Sequence, residues 1–247
     1  DAQALATAAV GDAVDVLWAA DAEGPAWAPW QQSAWALAAE RAARAAETET
    51  ELSARLQLGG QGLDRHTLFA NRRRAAELLE RLGESGAALA KWYEVLELGD
   101  RDGAGWTDAD VDAILGLADR AEQAAEASEY LQLAASELSD PARKVAVLIK
   151  LAERAARLGD REAQWALAQQ VLADHARHPA ALAVRGDALA HWADAPAEAR
   201  IAHARDVCAA AGSAERPAAR LALASLLLED TQQGEAGAQE ALAAALE

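Results

Sequence analysis

Apolar residues recur along this chain at helical spacing, in an order that repeats. Val111, Ile114, Leu115 and Ala118 share one helical face, and Ala127, Leu131, Ala134 and Ala135 continue the pattern on a second helix. The first half returns at Leu148, Leu151, Ala152 and Ala155, 37 residues on; then at Leu182, Gly186 and Leu189, 34 further; then at Leu221, Ala224, Ser225 and Leu228, after 39. A period of this length with two helices per unit predicts stacked helical hairpins, each burying the apolar face of its neighbour.

The residues between these stripes mark helix boundaries. Pro141, Pro179, Pro196 and Pro217 fall where helices begin, and proline is tolerated there because a first-turn amide has no acceptor inside the helix. Asp140 is placed to cap the helix opening at Pro141, and Thr107 with Asp110 forms a capping-box pattern beside Trp106 and Val111. Leu63, Asp64 and Leu68 repeat that device. Gly83, Gly159 and Gly212 stand where helices should stop in a left-handed turn. Before residue 62 the pattern predicts helices over 2–22 and 30–47, then a short one capped by Thr48 and Glu51 and ending at Gly59-Gly60. These form an atypical pair closing one end of the stack, and 234–247 reads as a final helix.

Composition narrows the class. The 247 residues are 52% hydrophobic but only 4% aromatic, so alanine-rich helices supply the core. There are 23 Lys and Arg against 40 Asp and Glu, a net charge of −17 that repels nucleic acid and anionic membrane surfaces. Cys208 is the sole cysteine, which excludes an internal disulfide. Apolar runs such as Leu221 to Leu228 are too short to cross a bilayer, so a soluble protein, by preference cytoplasmic, without membrane insertion is expected. A start at Asp1 without any Met fits a mature form or a domain cut from a longer chain.

The stretch from Leu78 to Leu98 carries a more specific likeness. Within it Ala88 is small, Trp92 is a large aromatic four residues on, and Val95 precedes a leucine. This resembles the turn and second helix of a tetratricopeptide repeat, over roughly residues 68–175. The sequence departs from that pattern at Arg72, where the family prefers a bulky apolar residue, and at Asp100 in place of proline. The resemblance implies a right-handed all-α solenoid of antiparallel helix pairs, five to six hairpins in a single domain over 1–247, with the repeat-like hairpins spanning 63–233.

Candidate chemistry is sparse. Gly59-Gly60-Gln61-Gly62 lacks the preceding strand that a phosphate loop needs. His175 and His178 are three apart but find no further ligand, and read as helix-end residues. Trp18, Trp27, Trp30 and Trp35 form a cluster that packs a terminal cap or, alternatively, walls an apolar ligand. No nucleophile or kinase motif occurs, so neither catalysis nor a cofactor is expected. The resemblance places function on the concave face of the first helices. By register that face comprises Arg73, Glu77, Glu80 and Arg81, then Asp112, Asp119 and Arg120, then Ile149, Glu153 and Arg157, then Asp187 and His191. Acids outnumber arginines, so a protein or peptide of basic or mixed charge is the expected partner. The alternatives are a regulatory or assembly arm of a larger protein and small apolar ligand binding.

Overall fold

The computed structural model describes residues 29–59, 63–98 and 105–229, with the side chains of 29–31 and 228–229 excepted. The expected helices over 2–22 and 234–247, together with Trp18, Trp27 and Gly60 to Gly62, lie outside these residues. Eleven helices and no strand are found among the described residues. They are α1 (Pro29–Ala45), α2 (Thr48–Leu58), α3 (Arg65–Arg81), α4 (Ser85–Leu98), α5 (Asp108–Arg120), α6 (Ala124–Ser136), α7 (Pro141–Leu158), α8 (Arg161–Asp174), α9 (Pro179–His191), α10 (Ala197–Ala210) and α11 (Arg216–Glu229). None is long and apolar enough to cross a membrane.

The chain falls into two compact units, Asp1–Ser139 and Asp140–Glu247. In the first, α1 to α6 pack in sequence order, and α4 also meets α6. In the second, α7 to α11 do the same, and α7 also meets α9. Connections of two to five residues inside each hairpin leave the chain no room to do anything but reverse. This all-α packing of successive helical pairs is the arrangement of a helical repeat.

Helix ends follow the punctuation in the sequence. Asp64 accepts the Thr67 amide at 3.0 Å and opens α3; Asp140 accepts the Ala142 amide at 2.9 Å and opens α7. The Asp110 carboxylate takes both the amide of Thr107, at 2.6 Å, and its hydroxyl, at 2.9 Å, across the first turn of α5. Gly83 and Gly159 take φ of +81° and +78°, the left-handed geometry that stops α3 and α7. Gly212 does not: α10 ends instead with Ala211 extended at φ −62° and ψ 135°. Glu51 is not a cap either, since the N-cap of α2 is Glu47 and the Glu51 carboxylate turns into the protein.

The core is built of small residues around a few large ones. Trp35 lies in one cluster with Ala38, Ala39 and Ala42 of α1 and Ala54 and Leu58 of α2. Ala88, Trp92 and Val95 are buried in α4, as are Val111, Ile114, Leu115 and Ala118 in α5 and Leu148, Leu151, Ala152 and Ala155 in α7. The later stripes depart from the expected register. In α9 the buried positions are Ala181, Arg185 and Ala188, while Leu182, Gly186 and Leu189 stay half-exposed; in α11 Leu223 and Leu227 are buried and Leu221 is 62% exposed. A buried arginine in α9 turns that helix, because its guanidinium must reach partners on α8 and α10.

Candidate functional site

In the first unit, the expected binding residues of α3 and α5 are drawn together by charge. Arg73 of α3 reaches Asp110 of α5 at 2.8 Å and its own helix's Glu77 at 3.7 Å; Arg120 of α5 reaches back to Glu80 of α3 at 2.7 Å. Two ion pairs therefore link successive first helices, through Arg73 with Asp110 and through Arg120 with Glu80. Arg81, Asp112 and Asp119 are exposed nearby in sequence on the same two helices. The Asp110 carboxylate, a capping group by its sequence position, is almost fully buried and doubles as the anchor for Arg73.

Behind this face lies a second network that spacing alone does not reveal. Glu51 of α2 is only 2% exposed, and Arg74 of α3 grips it through two bonds, Nε to Oε1 at 2.8 Å and Nη2 to Oε2 at 2.9 Å. Arg55 adds a third at 2.8 Å. Burial by itself would raise the Glu51 carboxyl, but the hydrogen bonds from Arg74 and Arg55 outweigh it and hold it below its ordinary value. Arg74 also bonds Glu77 at 3.2 Å, so this buried cluster braces the exposed face. Arg72, the departure from the repeat pattern, pairs with Glu94 of α4 at 3.3 Å and ties the two helices of its hairpin.

Between α4 and α6 an open cleft of about 380 Å³ is lined by Leu96, Glu97, Tyr130, Leu133, Ala134 and Glu137. Tyr130 stacks on Tyr93 with ring centroids 4.0 Å apart, so the ring that lines the cleft is held by a second aromatic.

In the second unit, Ile149 is half-buried and Glu153 and Arg157 are exposed on α7. Asp187 and His191 of α9 are exposed and 3.3 Å apart, and Asp187 also receives Gln164 at 2.9 Å and Arg161 at 3.3 Å from α8. The bond from Gln164, helped by the nearby positive charges, holds the Asp187 carboxyl below its ordinary value against the small opposing effect of desolvation. His178 caps the start of α9 by accepting the Ala181 amide on Nδ1 at 3.3 Å, and does not sit on a helix C-terminus as its sequence position suggested. His175 ends α8, and no group of three or more His, Cys, Asp or Glu among the described residues is placed to hold a metal ion.

Arg185 is the centre of this unit's polar interior. It is 1% exposed, and its guanidinium gives Nη1 to Gln169 at 2.6 Å, Nη2 to Asp206 at 2.7 Å and Nε to the Nδ1 of His203 at 3.1 Å. Arginine can only donate, so His203 Nδ1 must accept and the ring carries its proton on Nε2. Burial first, and the Arg185 charge second, push His203 below its ordinary value, with Asp206 opposing; the neutral ring is the favoured form. Gly186 makes this packing possible, since a Cβ there would meet His203 Nε2 at 3.0 Å.

His203 is shared by two adjoining hollows. One, of about 620 Å³, is lined by Pro179, Leu182, Ala183 and Gly186 of α9 and by Val207 and Ala219 among others, with Arg177 and Glu215 at its rim. The other, of about 350 Å³, continues along Leu189, Ala190, Ala204, Ala222 and Leu226 to Arg200. The half-exposed stripe of α9 is thus one wall of a groove and α11 the other, with α10 as floor. Cys208, half-buried in the packing of α10 on α11, has its thiol raised by burial.

No family model matches the chain, and no curated protein matches it. Among solved structures it is similar to the crystal structure of BtubC (BKLC) from P. vanneervenii, at 14% identity and a TM-score of 0.38, over 98% of this chain and 89% of that one.

Proposed function

We propose that this protein is an interaction scaffold that holds a partner protein or peptide of basic or mixed charge on the faces of its first helices, without chemistry of its own. The observation that supports this reading most is the pair of ion bridges from Arg73 to Asp110 and from Arg120 to Glu80, which order charged side chains on α3 and α5 before any partner arrives. Ordered side chains lose less rotamer freedom on binding, so a surface of this kind suits recognition. Arg73, Arg81 and Arg120 stand against Glu77, Glu80, Asp112 and Asp119, which leaves the face mildly acidic and favours a cationic or mixed-charge guest. The cleft between α4 and α6 suits the same partner chemistry: Tyr130, Glu97 and Glu137 line it, an aromatic ring and two carboxylates that complement the stem and head of a lysine or arginine. The resemblance to tetratricopeptide repeats points the same way.

The test is charge reversal. Glu77→Lys with Asp112→Lys in the first unit, and Glu153→Lys in the second, should each weaken binding of a lysine-rich peptide by about tenfold in fluorescence anisotropy, most of it through faster dissociation or lost steering at low salt. The circular dichroism melt should hold for Glu153→Lys and fall slightly for the variant carrying Glu77→Lys, which loses its contacts to Arg73 and Arg74. Unaltered peptide affinity in all the reversed variants would sink the reading.

A further inference from the structure

The groove of the second unit combines three features that point to a ligand. Its walls are apolar and built of small residues: Ala183, Gly186 and Ala190 on α9 and Ala219, Ala222 and Leu226 on α11. Gly186 belongs, with Leu182 and Leu189 of the same lining, to the stripe that the repeat pattern assigns to a core, yet all three face an opening. His203 borders both hollows, and because its Nδ1 takes the Arg185 bond, its Nε2–H is left as a donor on that side. Its tautomer is fixed from behind by Arg185, itself held by Gln169 and Asp206, so the donor is preorganised and not a chance exposure.

The lining decides what can fit. An extended peptide laid along α9 from Pro179 to Ala190 would press several amides against alkyl surface, with only His203, Arg177 and Arg200 in the lining to donate to them, and each stranded amide costs about 1–3 kcal/mol. An apolar molecule with one acceptor carries no such penalty. The size is right for it, since small-molecule sites commonly span about 300–1,000 Å³. Charge selects the acceptor. Arg185 behind the ring, Arg177 at one end and Arg200 at the other outnumber Asp206 and Glu215, a local positive excess in a chain of net charge −17. An anion is favoured there and a cation is not.

We propose that the groove between α9, α10 and α11 binds an apolar monocarboxylate, with its hydrocarbon along the alanine walls and a carboxylate oxygen accepting from His203 Nε2–H. The site is independent of the partner face on α3 and α5, and neither proposal needs the other.

Isothermal titration calorimetry with decanoate, decan-1-ol and decylamine, below their micelle concentrations, tests it on the full chain. Decanoate should bind about tenfold more tightly than either analogue, because only it offers an anionic acceptor. Ala219→Leu fills the middle of the groove from a partly exposed position and should weaken decanoate about tenfold with an unchanged melt. His203→Leu strands the Arg185 Nε and is a poor test by itself. His203→Gln keeps an acceptor for Arg185 and a donor for the ligand, and should stay within about threefold of the parent. Equal binding of decanoate and decylamine, or normal decanoate binding by Ala219→Leu, would overturn the proposal. So would a site that opens only after residues 230–247 are removed, since the chain's own end would then be the occupant.

Discussion

A single buried carboxylate ties α2 to α3 in the first unit. Glu51 holds two guanidiniums, and removing its charge leaves Arg55 without its anion and Arg74 with only Glu77. Breaking a fully buried pair costs about 3–5 kcal/mol. Here the arginines keep 21% and 28% of their side-chain exposure, so Glu51→Gln should cost less, about 2 kcal/mol, read as a lower urea midpoint with unchanged slope. The sign of its pH dependence follows from the same contacts. The folded carboxyl titrates below its ordinary value of 4.5, so its contribution is complete above that value and is lost as pH falls through the depressed one. Glu51→Gln should therefore flatten the acid limb of the stability curve. None of this was legible in the sequence, where Glu51 has the spacing of a cap. Its true role depends on Arg74, 23 positions away, and on a helix crossing that no local pattern encodes.

At the scale of helices, boundaries were easier to read than faces. Proline at Pro141 and Pro179, the aspartate caps at Asp64 and Asp140, and glycine at Gly83 and Gly159 act within one turn, so spacing is enough to place them. Gly159 holds φ +78° with open space around its α-carbon. Gly159→Ala meets no neighbour and should still cost about 1 kcal/mol, because the left-handed backbone itself penalises a Cβ; thermal unfolding measures it. Faces need tertiary information. In α5 and α7 the apolar stripe and the buried stripe coincide, but in α9 the need to bury Arg185 against Gln169, His203 and Asp206 rotates Leu182, Gly186 and Leu189 out of the core. Arginine reads as a surface residue in sequence, and so the rotation and the groove it opens were invisible there. The candidate residues Arg73, Glu77, Glu80 and Arg120 were legible as a group through helical register, whereas their anchor Asp110 was hidden by its capping role.

For the whole chain, net charge and helical periodicity carried the reading of class, and both act through sums that no single residue disturbs. A charge of −17 over alanine-rich hairpins gives an acidic protein that attracts cations and repels anions. The account's central claim is that this protein selects partners by charge. It is tested most directly by the affinities of three peptides of equal length, lysine-rich, neutral and glutamate-rich, for the unmodified protein at low salt. The account predicts that the lysine-rich peptide binds at least about tenfold more tightly than the neutral one, that the glutamate-rich peptide is not bound, and that the preference fades as salt rises. Equal affinity for all three, or a preference that salt leaves untouched, would contradict it.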